Sequence, residues 1–130
     1  MLDTSPTKLF LKTLKLFPKK GLKAKFPTDQ LERSNKEFSE NIISHAKRFL
    51  ALGLKKGERI GILLFNSIEY LEIMYGAMYA GLAPVCINAR YKTNELDYVL
   101  KDSGCKYLFI SSESDEVTNF SELILSVLDS

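Results

Sequence analysis

Few residues of this chain have the types and spacing of a reaction centre. The sharpest candidate is the run Asn88, Ala89, Arg90, Tyr91 and Lys92. It places a turn former, two cations and an aromatic ring after a short apolar stretch, where an open α/β sheet usually binds its ligand. The same run also reads as a corner of a scaffold, with Asn88 making the turn, Arg90 as a surface charge and Tyr98 packing from the next helix. His45 is the only histidine. It sits beside an apolar helical face and reads as a packed side chain rather than a base or ligand. One histidine also excludes a His-rich metal site and supports no Ser-His-Asp arrangement. Cys86 and Cys105 match no zinc or redox spacing and read as small, reduced residues in strands. The carboxylate pairs Glu69/Glu72, Glu95/Asp97 and Asp115/Glu116 fall at helix starts or in a polar loop, where helix dipole and solvation account for them. No phosphate-cradling Gly-x-x-x-x-Gly-Lys-Ser/Thr loop, no Gly-x-Gly-x-x-Gly turn and no Gly-x-Ser-x-Gly elbow is present. The residues by themselves describe a scaffold with binding surfaces.

The elements that would position these residues follow from periodicity. At 130 residues, with 45% hydrophobic and 26% charged side chains, the chain has the balance of one globular domain rather than of a disordered tail. Charge is uneven. Residues 1–60 hold 14 Lys/Arg and 6 Asp/Glu, and residues 61–130 hold 4 and 10. That asymmetry points to an anionic partner or a covering neighbour for the first half. Ser5 and Pro6 open a helix as cap and first residue. Its lysines, Lys8, Lys12, Lys15 and Lys19, form one stripe, with Leu9, Phe10, Leu14 and Phe17 away from it. Such a helix lies on anionic lipid or docks on its own protein with a solvated basic face. Interrupting lysines argue against a signal peptide, and no apolar run approaches the roughly 20 residues of a membrane span.

Residues 21–26 alternate as a half-buried strand, and Pro27, Thr28 and Asp29 mark a turn. A helix follows from about 36 to 52, with Phe38, Ile42, Ala46, Phe49 and Leu50 on one face and Gly53 after its end. From 59 the pattern becomes regular. Residues 59–65 form a strand buried on both faces. Asn66, with Glu69, caps a helix running to about 80 that carries Gly76, Ala77 and Ala80 for close packing. Residues 83–87 form a second buried, central strand. Asn94 with Asp97 starts a helix that Gly104 ends, 107–110 is a third strand, and 117–128 a last helix with Phe120, Leu123, Ile124 and Val127 inward. The expectation is an α/β fold, a mostly parallel doubly wound sheet with flanking helices. Three buried strands leave edges that need further strands, so the chain reads as the first part of a longer protein or as a piece that packs on a partner.

In order and spacing, "ALGLKKGERIGIL", "NSIEYLEIMYGAMYAG" and "INARYKTNELDYVLKDS" resemble the N-terminal region of the acyl-adenylate-forming, AMP-binding enzymes, and most closely the acyl-CoA synthetases. "FPKKGLKAKF" resembles the opening strand of that family. "SNKEFSENIISHAKRFLALG" resembles its Thr-Tyr-x-Glu helix start, with Ser34 and Asn35 in place of Thr-Tyr. The resemblance implies that residues 1–130 are an N-terminal segment of the adenylate-forming domain of an ATP-dependent ligase. In such enzymes ATP, Mg²⁺ and a carboxylic, typically fatty, acid give an acyl-adenylate, and CoA then displaces AMP. The ATP-binding and catalytic motifs lie further along such chains, so this segment alone is expected to be inactive, with no catalytic residue of its own and no metal site. The resemblance places CoA near Asn88, Ala89 and Tyr98. Where related enzymes carry an Arg, Tyr98 puts a phosphate contact in doubt and leaves stacking on adenine open. It further implies a cytoplasmic protein whose partners are the rest of its own polypeptide and the acid, with no nucleic acid; a membrane contact through the basic helix and an oligomer stay open. Two other readings remain, a sister adenylate-forming ligase with a different acceptor and a stand-alone, non-catalytic binding module.

Overall fold

The chain runs α1 (Pro6–Leu16), β1 (Gly21–Lys25), β2 (Gln30–Ser34), α2 (Asn35–Ala51), β3 (Arg59–Leu63), α3 (Ile68–Tyr79), β4 (Ala83–Cys86), α4 (Thr93–Ser103), β5 (Tyr107–Ile110) and α5 (Phe120–Leu128). This computed structural model describes residues 5–17, 19–25, 30–111 and 114–129, and the side chains of 22–25, 30 and 31 fall outside the description. Phe26 and the expected turn at Pro27, Thr28 and Asp29 also lie outside the described residues. The chain divides into two compact units, residues 1–56 with 66–82, and residues 57–65 with 83–130.

The first unit is helical around one antiparallel pair. Strand β2, which the polar run at 30–34 did not announce, pairs with β1 so that Leu22 faces Arg33 and Gly21 faces Ser34. Ser34 then caps α2. Its hydroxyl accepts from the Glu37 N–H at 3.1 Å, and the Glu37 carboxylate accepts from the Ser34 N–H at 3.4 Å. Serine therefore does the capping work that the resemblance assigns to a threonine at this start. Phe38, Ile42, Ala46 and Phe49 are buried as expected, but Leu50 is exposed, because it lies one residue past the face that turns inward. Helices α2 and α3 approach closely at Gly76. A Cβ added there would lie 2.8 Å from the His45 Cβ and 2.9 Å from the Ile42 carbonyl oxygen. The cap of α3 is Ser67, whose hydroxyl accepts from the Tyr70 N–H at 3.1 Å, and not Asn66. Helix α1 starts on Ser5 and Pro6 as expected. Its phase differs from the expected one. Thr7, Leu11 and Leu14 are buried while Leu9 and Phe17 face solvent. The core joins Leu11, Leu14, Phe38, Ile42 and Ile68, with the Phe10 ring stacked on Tyr75 at 4.7 Å.

The second unit holds a three-stranded parallel sheet in the order β4-β3-β5. Strand β3 is the centre, and its Ile60, Ile62 and Leu63 are fully buried. Strand β4 is an edge strand, not the central one, and Ala83 and Cys86 stand exposed on it. The β3→β4 crossover goes to one side and the chain then passes β3 to place β5 on the other, which is the reversal of a doubly wound sheet. Helix α4 is opened by Lys92, Thr93 and Glu95 rather than by Asn94 and Asp97, because the Glu95 carboxylate accepts from the Lys92 N–H at 2.7 Å. Gly104 closes it in the left-handed region at φ 67°, where glycine carries no Cβ penalty. Helix α5 begins at Phe120 and not at 117, since Asn119 is its cap and accepts from the Glu122 N–H at 3.2 Å. Its Phe120 joins Leu63, Ile87 and Leu96 in a second core, against which Leu123, Ile124 and Val127 pack. Among the described residues no helix is long and apolar enough to cross a membrane.

Candidate functional site at the carboxyl ends of the parallel strands

The second unit gathers its loop residues where β3, β4 and β5 end. After β4 the chain turns at Asn88. The Asn88 side-chain oxygen accepts from the Arg90 N–H at 2.9 Å, and its carbonyl accepts from the Tyr91 N–H at 3.1 Å. The turn former expected from the sequence is therefore in place.

Arg90 is more than a surface charge. Its Nη1 and Nη2 reach the two Asp115 oxygens at 3.0 and 2.8 Å, the fork-on-fork geometry of a bidentate pair. Nη1 also donates to the Thr118 hydroxyl at 2.9 Å, and the guanidinium lies 5.7 Å from the centre of the Phe65 ring, just past β3. Thr118 passes the connection on, its hydroxyl donating to the Ala89 carbonyl at 3.2 Å. Asp115 Oδ1 also accepts from the Val117 and Thr118 N–H groups at 2.9 and 2.7 Å. Phe65 packs on Phe120 with ring centres 4.6 Å apart. One guanidinium thus joins the loops after all three strands. The Arg90 guanidinium, then the Thr118 and Val117 amides, hold the Asp115 carboxyl well below the usual carboxylate range. The same hydrogen bond to Asp115 raises the pKa of Arg90.

Of the three residues assigned to a ligand, Asn88 and Ala89 share this knot, and their three oxygens named above are engaged within the protein. Tyr98 lies one turn and more into α4 and is 67% exposed, so it is neither a core residue nor bonded into the knot. Beside the turn is an open groove of about 280 Å³, lined by Tyr91, Lys92 and Thr93 on one side and by Val117, Thr118, Asn119, Glu122, Leu123 and Ser126 on the other. The Thr93 and Ser126 hydroxyls share a hydrogen bond at 2.7 Å. The arrangement can fix a backbone wall and offer an aromatic ring, and among the described residues it pairs no nucleophile with a base. Sequence reasoning missed Asp115 and Thr118. Their three-residue spacing, which lets an aspartate cap its own turn, was the available signal.

Elsewhere the titratable candidates behave as structural groups. His45 is half-buried, and burial, then Arg48, lower its pKa. Glu72 is buried with its side chain 2% exposed, and one oxygen lies 3.5 Å from Arg33 Nε. Burial pushes its carboxyl up, against the opposing pull of Asn41 and Arg33. Neither Cys86 nor Cys105 forms a disulfide. Among the described residues no group of three or more His, Cys, Asp or Glu could hold a metal ion.

Comparison with known proteins shows the family of the chain. The family model described as AMP-binding enzyme matches residues 24–129. Over 72 residues the chain is 42% identical to the acyl-CoA ligase SID4 of Ajellomyces capsulatus, a stretch covering 55% of this chain and 12% of that protein. Over 67 residues it is 39% identical to the long-chain-fatty-acid–CoA ligase FadD13 of Mycobacterium tuberculosis, covering 52% of this chain and 13% of that one. The chain thus aligns with about an eighth of the length of these ligases. Among solved structures, the N-terminal domain of FACL13 from Mycobacterium tuberculosis superposes with a TM-score of 0.72 at 28% identity, covering 82% of this chain and 27% of that one. The anthranilate CoA ligase AuaEII in complex with anthranoyl-AMP superposes with a TM-score of 0.78 at 25% identity, covering 95% of this chain and 22% of that one.

Proposed function

This chain belongs to the AMP-binding enzymes, and we propose that it forms the first part of an ATP-dependent acyl-CoA ligase. The observation that carries this reading is the match over 24–129 together with the 42% identical stretch shared with a named acyl-CoA ligase. In the proposed reaction a carboxylate oxygen attacks the α-phosphorus of ATP and pyrophosphate leaves. A thiol sulfur then attacks the acyl carbon and AMP leaves. Activation is needed because a free carboxylate offers the thiol no adequate leaving group.

Within that enzyme the 130 residues act as scaffold and as the CoA-side wall. The turn at Asn88 and Ala89 is held by Arg90 and Thr118, and the exposed Tyr98 ring offers a face for an adenine. Arg90 is committed to Asp115 and Thr118, so it is not offered to a phosphate. These residues do not fit an ATP or Mg²⁺ site, and no step through either is assigned to them. Two exposed sheet edges support continuation of the fold into further chain: Cys86 on β4, and Tyr107 and Ile110 on β5, face solvent. A cytoplasmic location goes with this reading.

The test compares the polypeptide of the complete reading frame with residues 1–130 alone, given ATP, Mg²⁺, a fatty acid and CoA. Acyl-CoA is expected from the former only. ATP–pyrophosphate exchange by the 130 residues alone would overturn their role as a wall. Acyl-adenylate formation without transfer to CoA would move the protein to a sister ligase. In the complete enzyme Tyr98→Ala is expected to raise KM for CoA and to leave pyrophosphate exchange unchanged.

A further inference from the structure

Helix α1 precedes the residues matched to the family model, and the proposed wall leaves it without a role. Its inner side is fixed. Leu11 and Leu14 are buried against Phe38, Ile42 and Ile68, and Phe10 stacks on Tyr75. That anchoring turns Leu9 and Leu16 outward, 51% and 68% exposed. Seven residues apart, they lie in one line along the helix, two turns from each other. Lys12 stands between them, three residues from Leu9 and four from Leu16, and Lys15 flanks the line. Just past the helix Phe17 is 52% exposed, with Lys20 Nζ 5.7 Å from its ring centre, and Lys19 is exposed beside it. Residues 6–25 contain seven lysines and no Asp, Glu or Arg.

A single exposed leucine is ordinary. An aligned apolar set inside an unbroken cationic segment is what a helix lying at a lipid interface presents, with apolar side chains in the headgroup layer and lysines reaching the phosphates. We propose that the outward face of α1 docks on the surface of an anionic lipid bilayer. Leu9, Leu16 and Phe17 enter the headgroup layer, and Lys12, Lys15, Lys19 and Lys20 meet its negative charge. A nucleic acid is a poorer match, since it offers the apolar line nothing to contact and the segment lacks the arginines that grip phosphates bidentately. The inference is independent of the proposed reaction, because it uses no residue of the turn or of α4.

The experiment is co-sedimentation of the full chain with vesicles of phosphatidylglycerol and phosphatidylcholine, and with phosphatidylcholine alone. Binding is expected to the anionic vesicles only, and to weaken with salt. At about fivefold per lysine near an anionic surface, the Lys12→Gln, Lys15→Gln, Lys19→Gln triple variant should lose on the order of a hundredfold in affinity. Leu9→Ser with Leu16→Ser should lose about tenfold or more. All five positions are exposed, so thermal unfolding of both variants should match the parent, which separates lost docking from lost folding. No sedimentation, equal binding to neutral vesicles, or variants that bind like the parent would each overturn the proposal. So would a dimer in lipid-free light scattering that Leu9→Ser with Leu16→Ser dissolves, since a second copy would then cover the face.

Discussion

The two units spend their charge differently. The first carries 13 Lys/Arg against 7 Asp/Glu, the second 5 against 9. In the second, cations are tied to acceptors of the same unit: Arg90 to Asp115 and Lys106 to Glu58 at loop and strand ends, Lys101 to Asp97 one turn along α4, and Arg59 to the Ser103 carbonyl at 2.7 Å. In the first, lysines such as Lys12, Lys15, Lys47, Lys55 and Lys56 face solvent, while the packing is done by Phe38, Ile42 and Ile68. The acidic unit uses ion pairs to shape its own loops. The basic unit leaves much of its charge facing outward. A sequence tally of +8 for residues 1–60 and −6 for residues 61–130 shows the asymmetry, and only the structure shows that the two units, at +6 and −4, put their charge to different uses.

The strongest way to break this comparison is through the cores. Phe120→Ala is expected to cost about 3–5 kcal/mol and Ile42→Ala about 2–5 kcal/mol. Amide exchange should lose protection first in the second unit for Phe120→Ala and first in the first unit for Ile42→Ala. Equal loss throughout the chain for either variant would remove the distinction between two cores. Next, Gly76→Ala should destabilise the first unit by roughly 1–3 kcal/mol, because the added methyl meets the Ile42 carbonyl, which is backbone and yields little. Chemical denaturation reads this as a lower midpoint at unchanged slope. Smaller again, Ser67→Ala should cost about 1 kcal/mol, while Asn66→Ala should cost clearly less, which decides between the two cap assignments by measurement.

The mildest contrast is in pH. Glu72 in the first unit has its folded pKa raised by burial, so ionising it opposes folding. As pH falls through that raised value the opposition is relieved, and the contribution is complete below the unfolded value near 4.3. His45 works the other way below about 6.5, since its folded pKa is lowered, first by burial and then by Arg48. The difference between the parent and Glu72→Gln isolates the carboxyl. Asp115 in the second unit has its folded pKa lowered, first by Arg90. Its contribution is present above the unfolded value near 3.9 and is lost as pH falls below it. Amide exchange at Val117 and Thr118 should therefore stay protected at pH 5 in the parent and be weakened in Asp115→Asn.

What could be read from the sequence was local. Ser5 and Pro6, Gly104 and the run of β3 announce themselves within a few residues, and each stands where periodicity and cap chemistry put it. The family motifs were legible for the same reason. What escaped needed the third dimension or a tie between neighbours. Asn66 and Ser67 are both good caps, and the choice turns on backbone angles. Leu9 and Leu11 are the same residue type, and only the place where α1 docks decides which is buried. Strand β2 is too polar and short to show alternation. Arg90 and Asp115 lie 25 positions apart and meet only because β4 and β5 flank β3.

The strand order has a consequence for how the chain is made. Strand β3 is the most buried of the sheet, yet both its partners come later: Arg59 waits 24 residues for Ala83, and Ile60 waits 47 for Tyr107. At about 5–20 residues per second on the ribosome, the second partner follows some two to nine seconds behind. For about the first one to five seconds, until β4 follows, an apolar strand has no ladder to join, and until β5 follows one of its edges stays unpaired, whereas α2 can close its turns as it emerges. The hazard of misassembly in this protein therefore falls on its best-buried strand and on the seconds before its neighbours arrive.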